Sequence, residues 1–189
     1  MSSADGEQFL GLPPIAAGEA DAVLLPVPLE KTVSYGGGTS RGPRAILEAS
    51  TQIEWFDEEM LVDFAEAPKV HTLPHLALAT TLSDSLGAIA EAAAEHRGRF
   101  LLAVGGEHTL TYATATGLVD DLSKLTVVQI DAHADLIDEL DGRRFSHGTV
   151  MRRLWERGCR LVQVGVRSLS REEYELAAAD HRITTFFAH

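Results

Sequence analysis

Leu125-Thr-Val-Val-Gln-Ile-Asp-Ala-His-Ala-Asp135 is the stretch on which the reading of this chain turns. Its first six residues are mostly apolar or β-branched and read as a short buried strand. Its last five place Asp131, His133 and Asp135 two residues apart. The same grammar recurs on either side. Phe100-Leu-Leu-Ala-Val104 runs into Gly105-Gly-Glu-His108, and Arg160-Leu-Val-Gln-Val-Gly-Val166 runs into Arg167-Ser168. Further out, Ala22-Val-Leu-Leu-Pro-Val-Pro28 reads as a strand ending near Pro26, and Ile183-Thr-Thr-Phe-Phe187 as a final one.

Helical patterns separate these strands. Pro43 suits the first turn of a helix through Ala45, Ile46 and Leu47. Leu78, Leu82, Leu86, Ile89 and Ala93 recur at three- and four-residue steps, which predicts a helix closed by Gly98. Further helices are expected from His108 to about Leu122 and from Thr149 to Arg157, the latter stopped by Gly158. Ser170 with Glu173 is a capping-box pattern for a last one. Continuous apolar strands alternating with helices predict an α/β, three-layer α-β-α fold with a mainly parallel sheet. One domain is expected over residues 1–189, with roughly the first twenty forming a surface arm.

Composition narrows the function. There are 16 Lys+Arg against 28 Asp+Glu, a formal net charge of −12, so a nucleic-acid footprint is not expected and small cationic ligands are favoured. The single cysteine, Cys159, excludes an internal disulfide and a thiolate metal cluster. No apolar run reaches membrane-helix length, and the start carries Asp5, Glu7 and Glu19 where a secretory signal would be basic. A cytoplasmic location is the expectation. His71, His75, His96 and His181 are scattered and read as ordinary histidines, Cys159 as a small buried hydrophobe, and Trp55-Phe56 as a partly exposed amphipathic segment.

Ligands of open parallel sheets bind beyond the carboxyl ends of the strands. Those ends carry Glu107-His108, Asp131, His133 and Asp135, with Ser146-His147-Gly148 a dozen residues on. Imidazole and carboxylate without sulfur suit a divalent ion such as Mn²⁺. On a fully extended chain Asp131 and Asp135 would stand about 13 Å apart, too far for one ion. Either the chain curls as the strand ends, or the ligands serve two ions about 3.5–4 Å apart.

Gly-Gly-Glu-His (105–108), Asp-Ala-His-Ala-Asp (131–135) and Ser-His-Gly-Thr (146–149), in that order, resemble the ureohydrolases, the family of arginases, agmatinases and relatives. Tyr35-Gly-Gly-Gly-Thr-Ser-Arg-Gly-Pro-Arg-Ala-Ile46 resembles that family's early loop and helix, and Gln163-Val-Gly-Val-Arg-Ser168 a later strand. The resemblance implies an arginase-like fold and a homo-oligomer. It also implies a binuclear Mn²⁺ hydrolase that cleaves a guanidinium group to release urea, through a metal-bound hydroxide. By position His108 would bind one ion and His133 the other, Asp131 would bridge them, Asp135 would complete part of the first site, and His147 would transfer a proton. The segment between Asp135 and His147 lacks the Asn-containing run of arginases, which points to agmatinase and to agmatine as the guanidino substrate. Asp138 and Glu139 are candidate substrate contacts there; a solvated acidic loop is the other reading.

Two departures stand out. Glu107 occupies a place where the family more often has Asp, a minor change. The family's later Asp-x-Asp strand end has no counterpart, since Asp180 is the only aspartate beyond Asp141. The chain is therefore expected to lack the carboxyl-terminal part of the family fold, to bind metal weakly and to turn over slowly. A catalytically silent relative serving as a binding or assembly subunit is the alternative, separated from the first by urea release from agmatine with added Mn²⁺.

Overall fold

A computed structural model describes residues 7–188; the first six residues of the expected arm, Asp5 among them, and His189 lie outside the described residues. In chain order the elements are β1 (Ala22–Val27), α1 (Gly42–Ser50), β2 (Phe56–Asp57), β3 (Val62–Asp63), β4 (Val70–Thr72), α2 (Leu82–Ala94) and β5 (Phe100–Gly105). They continue with α3 (Leu110–Leu118), β6 (Thr126–Ile130), α4 (Val150–Glu156), β7 (Arg160–Val166), α5 (Arg171–Ala179) and β8 (Ile183–Phe187). The α/β architecture with parallel strands is as the periodicity predicts.

Six of the strands form two parallel sheets of three, in the orders β4-β1-β5 and β6-β7-β8, and β2 pairs with β3 as a small antiparallel ribbon. β1 is buried at Val23, Leu24, Leu25 and Val27, so both of its faces are covered. Leu25 and Val27 pack with Ile89 of α2 and with Leu110 and Ala113 at the start of α3. A second core gathers Val150, Met151 and Leu154 of α4 against Leu161 and Val166 of β7 and Ile183 of β8. The helices α2 and α3 approach so closely that a Cβ at Gly117 would lie 2.2 Å from the carbonyl oxygen of Ala90, and only glycine fits there.

Three sequence expectations shift. Leu78 lies before the helix rather than in it, because Thr81 caps α2 by accepting the Asp84 N–H at 3.1 Å. Residues 73 and 76 instead continue beside β1, donating to the carbonyls of Leu24 and Pro26. α3 stops at Leu118, since Val119 is extended and Asp121 starts a separate turn over Leu122–Lys124. Of the expected arm, Leu10 is buried, its N–H held by Ser50 Oγ at 2.9 Å and its carbonyl by Trp55 Nε1 at 3.1 Å.

The periodicity suggests one mainly parallel sheet; among the described residues the parallel strands are divided between two. β5 pairs only with β1 and β6 only with β7 among the described residues. Between the free edges of β5 and β6 lies a cleft of about 730 Å³ lined by Phe100, Ala103, Leu118, Val127 and Val128. Phe100 is 70% exposed, Val128 63% and Ile130 84%, although all three lie on strands whose composition reads as fully buried.

Candidate metal centre

β6 ends at Ile130, and the chain then curls. The Asp131 carboxylate accepts the backbone N–H of His133 at 2.8 Å, which folds the strand end onto itself. Residue 133 makes a single parallel bridge to Ser168. Asp135 then takes a left-handed backbone conformation, φ 53°, that aspartate tolerates better than most residues. Its carbonyl accepts the N–H groups of Met151 and Arg152 at 3.1 Å, which ties the curl to the start of α4.

Two buried glutamines hold this shape. Gln163 of β7 donates from its Nε2 to the carbonyl of Ala134 at 2.7 Å and to Gln129 Oε1 at 2.6 Å. Gln129 of β6 in turn donates to the carbonyl of His133 at 3.2 Å and to the Asp135 carboxylate at 3.3 Å. Backbone acceptors released from the sheet are thereby satisfied by side chains rather than left bare. Glu173, buried in α5, makes the expected capping box with Ser170 and also accepts the Leu136 N–H at 2.9 Å.

The result answers the geometric question the spacing leaves open. His108, Asp131 and Asp135 each offer a ligand atom within 4.8 Å of the others. His108 Nδ1 stands 2.8 Å from Asp135 Oδ2 and 3.9 Å from Asp131 Oδ2. The cluster is half sheltered, with the Asp135 side chain 9% exposed. One imidazole nitrogen and two carboxylates around a common point fit a borderline-to-hard divalent ion, with positions left for water or substrate. His133 stands apart from this trio: its side chain is 65% exposed and its Nδ1 is 3.4 Å from Asp131 Oδ1. His133, Asp135 and His147 line one pocket of about 290 Å³, together with Leu140, Ser168 and Glu173.

Asp138 is paired within the chain. Its carboxylate is 2.5 Å from the guanidinium of the buried Arg153 and 3.8 Å from that of Arg144, and the Arg153 hydrogen bond lowers its pKa. Its charge is thus already met by arginine, although its side chain is half exposed. Glu139 is exposed.

The Gly105-Gly106 pair brings His108 to the site. Glu107 N–H donates to the Leu29 carbonyl at 2.8 Å, so the turn after β5 rests directly on the backbone leaving β1. A Cβ at Gly106 would lie 2.3 Å from the oxygen and 2.6 Å from the nitrogen of Leu29, both main-chain atoms that cannot swing aside. Gly106→Ala is expected to cost about 2 kcal/mol, lowering Tm by roughly 4–8 °C for a chain of this size. Thermal melting by circular dichroism checks this, and an unchanged Tm would refute the close approach.

Four further residues join the site without having been singled out in the sequence: Thr32, Ser34, Gln129 and Gln163. His147 Nδ1 is 3.4 Å from Thr32 Oγ1, and its Nε2 is 3.3 Å from Ser34 Oγ. Thr32 follows β1, so a search of all strand ends, β1 included, would have found it. Glu107, treated as a minor change, is buried and accepts four hydrogen bonds. Burial raises its pKa, but the bonds from Thr32, Lys31 and Thr109 outweigh that and leave it below the ordinary carboxylate value. Glu30 holds the glycine-rich loop by accepting from the Ser40 and Gly38 N–H groups and the Ser40 and Thr39 hydroxyls. These bonds bring its pKa down to about 2.

A family model described as the arginase family matches residues 20–189. The chain is 35% identical to the N(1)-aminopropylagmatine ureohydrolase of Synechocystis, over 96% of its own length and 62% of that protein's. To the agmatinase of Pyrococcus horikoshii it is 34% identical, over 88% of its own length and 59% of the relative's. Its fold matches the proclavaminate amidino hydrolase of Streptomyces clavuligerus with a TM-score of 0.82 at 23% identity, covering 98% of this chain and 64% of that one. The chain therefore spans about three-fifths of the length of the proteins it resembles.

Proposed function

The chain belongs to the arginase family, and on that premise we propose that it serves an agmatinase-type hydrolysis, in which a guanidino-amine such as agmatine is cleaved to urea and an amine. The observation that carries the reading is the convergence of His108, Asp131 and Asp135 on one point, beside the pocket that His147 lines. The oxygen-rich donor set favours Mn²⁺. His108 and Asp135 would hold one ion and His133 a second, with Asp131 between them. Such ions supply Lewis acidity and a water acidic enough to attack a guanidinium carbon near neutral pH.

The chain's own residues then have defined tasks. His147 carries the proton that the departing amine must gain. Glu139, exposed on the segment before His147, is the proposed contact for the substrate's distal ammonium. Asp138 acts there through Arg153, holding the segment in place. The net charge of −12 favours the approach of a dication in low salt. No helix among the described residues is long and apolar enough to cross a membrane, and the reading takes the cytoplasm as its compartment. Urea release from agmatine in the presence of Mn²⁺ tests the reading directly; no release from a chain shown to bind Mn²⁺ would sink it.

One observation favours the second reading, a catalytically silent subunit that works through assembly. Among the described residues, the edges of β5 and β6 that face the cleft pair with no strand, and they carry exposed apolar side chains. Homo-oligomer formation through these edges is the expected outcome. Sedimentation should show concentration-dependent association that Val128→Lys with Ile130→Lys reduces, because charged edge residues oppose strand pairing. Association unaffected by both changes would place the contact elsewhere.

A further inference from the structure

His147 is gripped from two sides by the short strap that follows β1. Thr32 Oγ1 lies 3.4 Å from its Nδ1, and Ser34 Oγ lies 3.3 Å from its Nε2. The strap is itself tied down by Glu107. One carboxylate oxygen accepts the N–H groups of Lys31 at 2.8 Å and Thr32 at 2.7 Å. The other accepts the hydroxyls of Thr32 at 2.7 Å and Thr109 at 2.8 Å.

Counting protons fixes the direction of these bonds. An ionised carboxylate only accepts, so the Thr32 hydroxyl proton is committed to Glu107. The Thr109 proton is committed to the same oxygen, which leaves none for the 3.3 Å contact between the two threonines. Thr32 Oγ1 has two lone pairs. One receives the backbone N–H of His147 at 3.1 Å. The other faces His147 Nδ1 and can only accept from it. The hydroxyl is then saturated, with one proton given and two received.

We propose that Glu107, acting through Thr32, is a positioning residue that holds His147 in its Nδ1–H tautomer, so that the ring takes and returns its proton at Nε2 alone. In this state the bare Nε2 is the hydrogen-bond acceptor of the Ser34 hydroxyl, and an incoming amine displaces that contact. The other ring nitrogen stays protonated throughout, and no proton passes through Thr32 or Glu107. Which nitrogen of a histidine is protonated is set by the partner of the other one, and here that partner is set in turn by a buried carboxylate. The inference rests on the proton-transfer role proposed for His147, and it makes Glu107 more than a variant of a metal-ligand motif.

The test reads the tautomer and needs no turnover. Chain labelled with ¹⁵N-histidine, without metal, is examined by long-range ¹H–¹⁵N correlation at a mildly alkaline pH, and the His147 signals are identified by their loss in His147→Asn. Wild type is expected to show a protonated Nδ1 and a lone-pair Nε2. Glu107→Gln and, independently, the near-isosteric Thr32→Val should shift the ratio toward Nε2–H by about tenfold. Thr32→Ser, which keeps the oxygen, should restore it. A wild-type ring protonated at Nε2 would overturn the proposal, as would a ratio unmoved by Thr32→Val. If Glu107→Gln fails to fold, the threonine variants still decide. Urea release unaffected by His147→Asn would instead remove the proton-transfer role and leave the tautomer result standing, so the two failures are distinguishable.

Discussion

Asp135→Asn is expected to weaken Mn²⁺ binding by at least about 10²-fold, because partners one shell further out already cost 10–100-fold when lost. Asparagine keeps the left-handed backbone that the position needs and removes only the charge. Asp135 is the most sheltered member of the trio, and its carboxylate sits 2.8 Å from His108 Nδ1. Its loss removes one of two anionic donors from the common point shared with His108 and Asp131. Titration calorimetry gives the affinity. Thermal melting adds a second readout, since a ligand that binds only the folded state raises Tm with its concentration. The Mn²⁺-dependent rise should vanish in Asp135→Asn while the metal-free Tm stays within a few degrees. Equal Mn²⁺ affinity in the two chains would mean that the ion binds elsewhere.

His147→Asn is expected to lower kcat for urea release from agmatine by about 10²–10⁴-fold, the usual contribution of a positioned proton donor. Asparagine can still meet Ser34 but cannot carry a proton. His147 is not among the three clustered ligands, so Mn²⁺ affinity should not change. This pairing of effects separates it from Asp135→Asn, in which binding and turnover fall together. Steady-state kinetics at saturating Mn²⁺ is the measurement. A loss confined to KM would assign His147 to substrate binding and remove it from proton transfer.

The element types were legible because local composition decides them. Ala22–Val27, Phe100–Gly105 and Arg160–Val166 are apolar enough to be strands wherever they pack. Ser170 with Glu173 forms the capping box that its spacing announces. Leu78 misled because its periodicity matches a helix, while the hydrogen bond that starts α2 belongs to Thr81. β4 was not foreseen: Val70–Thr72 is three residues long and gains its identity only by pairing with β1.

The candidate site divides in the same way. Its residue types are legible in the sequence, His108, Asp131, His133 and Asp135 at or just beyond strand ends and His147 ahead of a helix, and the acidic, sulfur-free donor set is a property of the sequence alone. Whether Asp131 and Asp135 could share a point was a question of path. Tertiary structure decides it, through the Asp131 turn, the left-handed Asp135 and the two glutamines reaching in from β6 and β7. Partners such as Thr32 and His147, 115 residues apart, are also beyond any local pattern. So is the break between β5 and β6, because strand composition predicts a need for burial and does not record which neighbour provides it. The sequence determines what each segment can form and which chemistry its side chains offer. Pairing, register and the meeting of distant side chains depend on contacts between segments far apart in the chain, and only the folded structure supplies those.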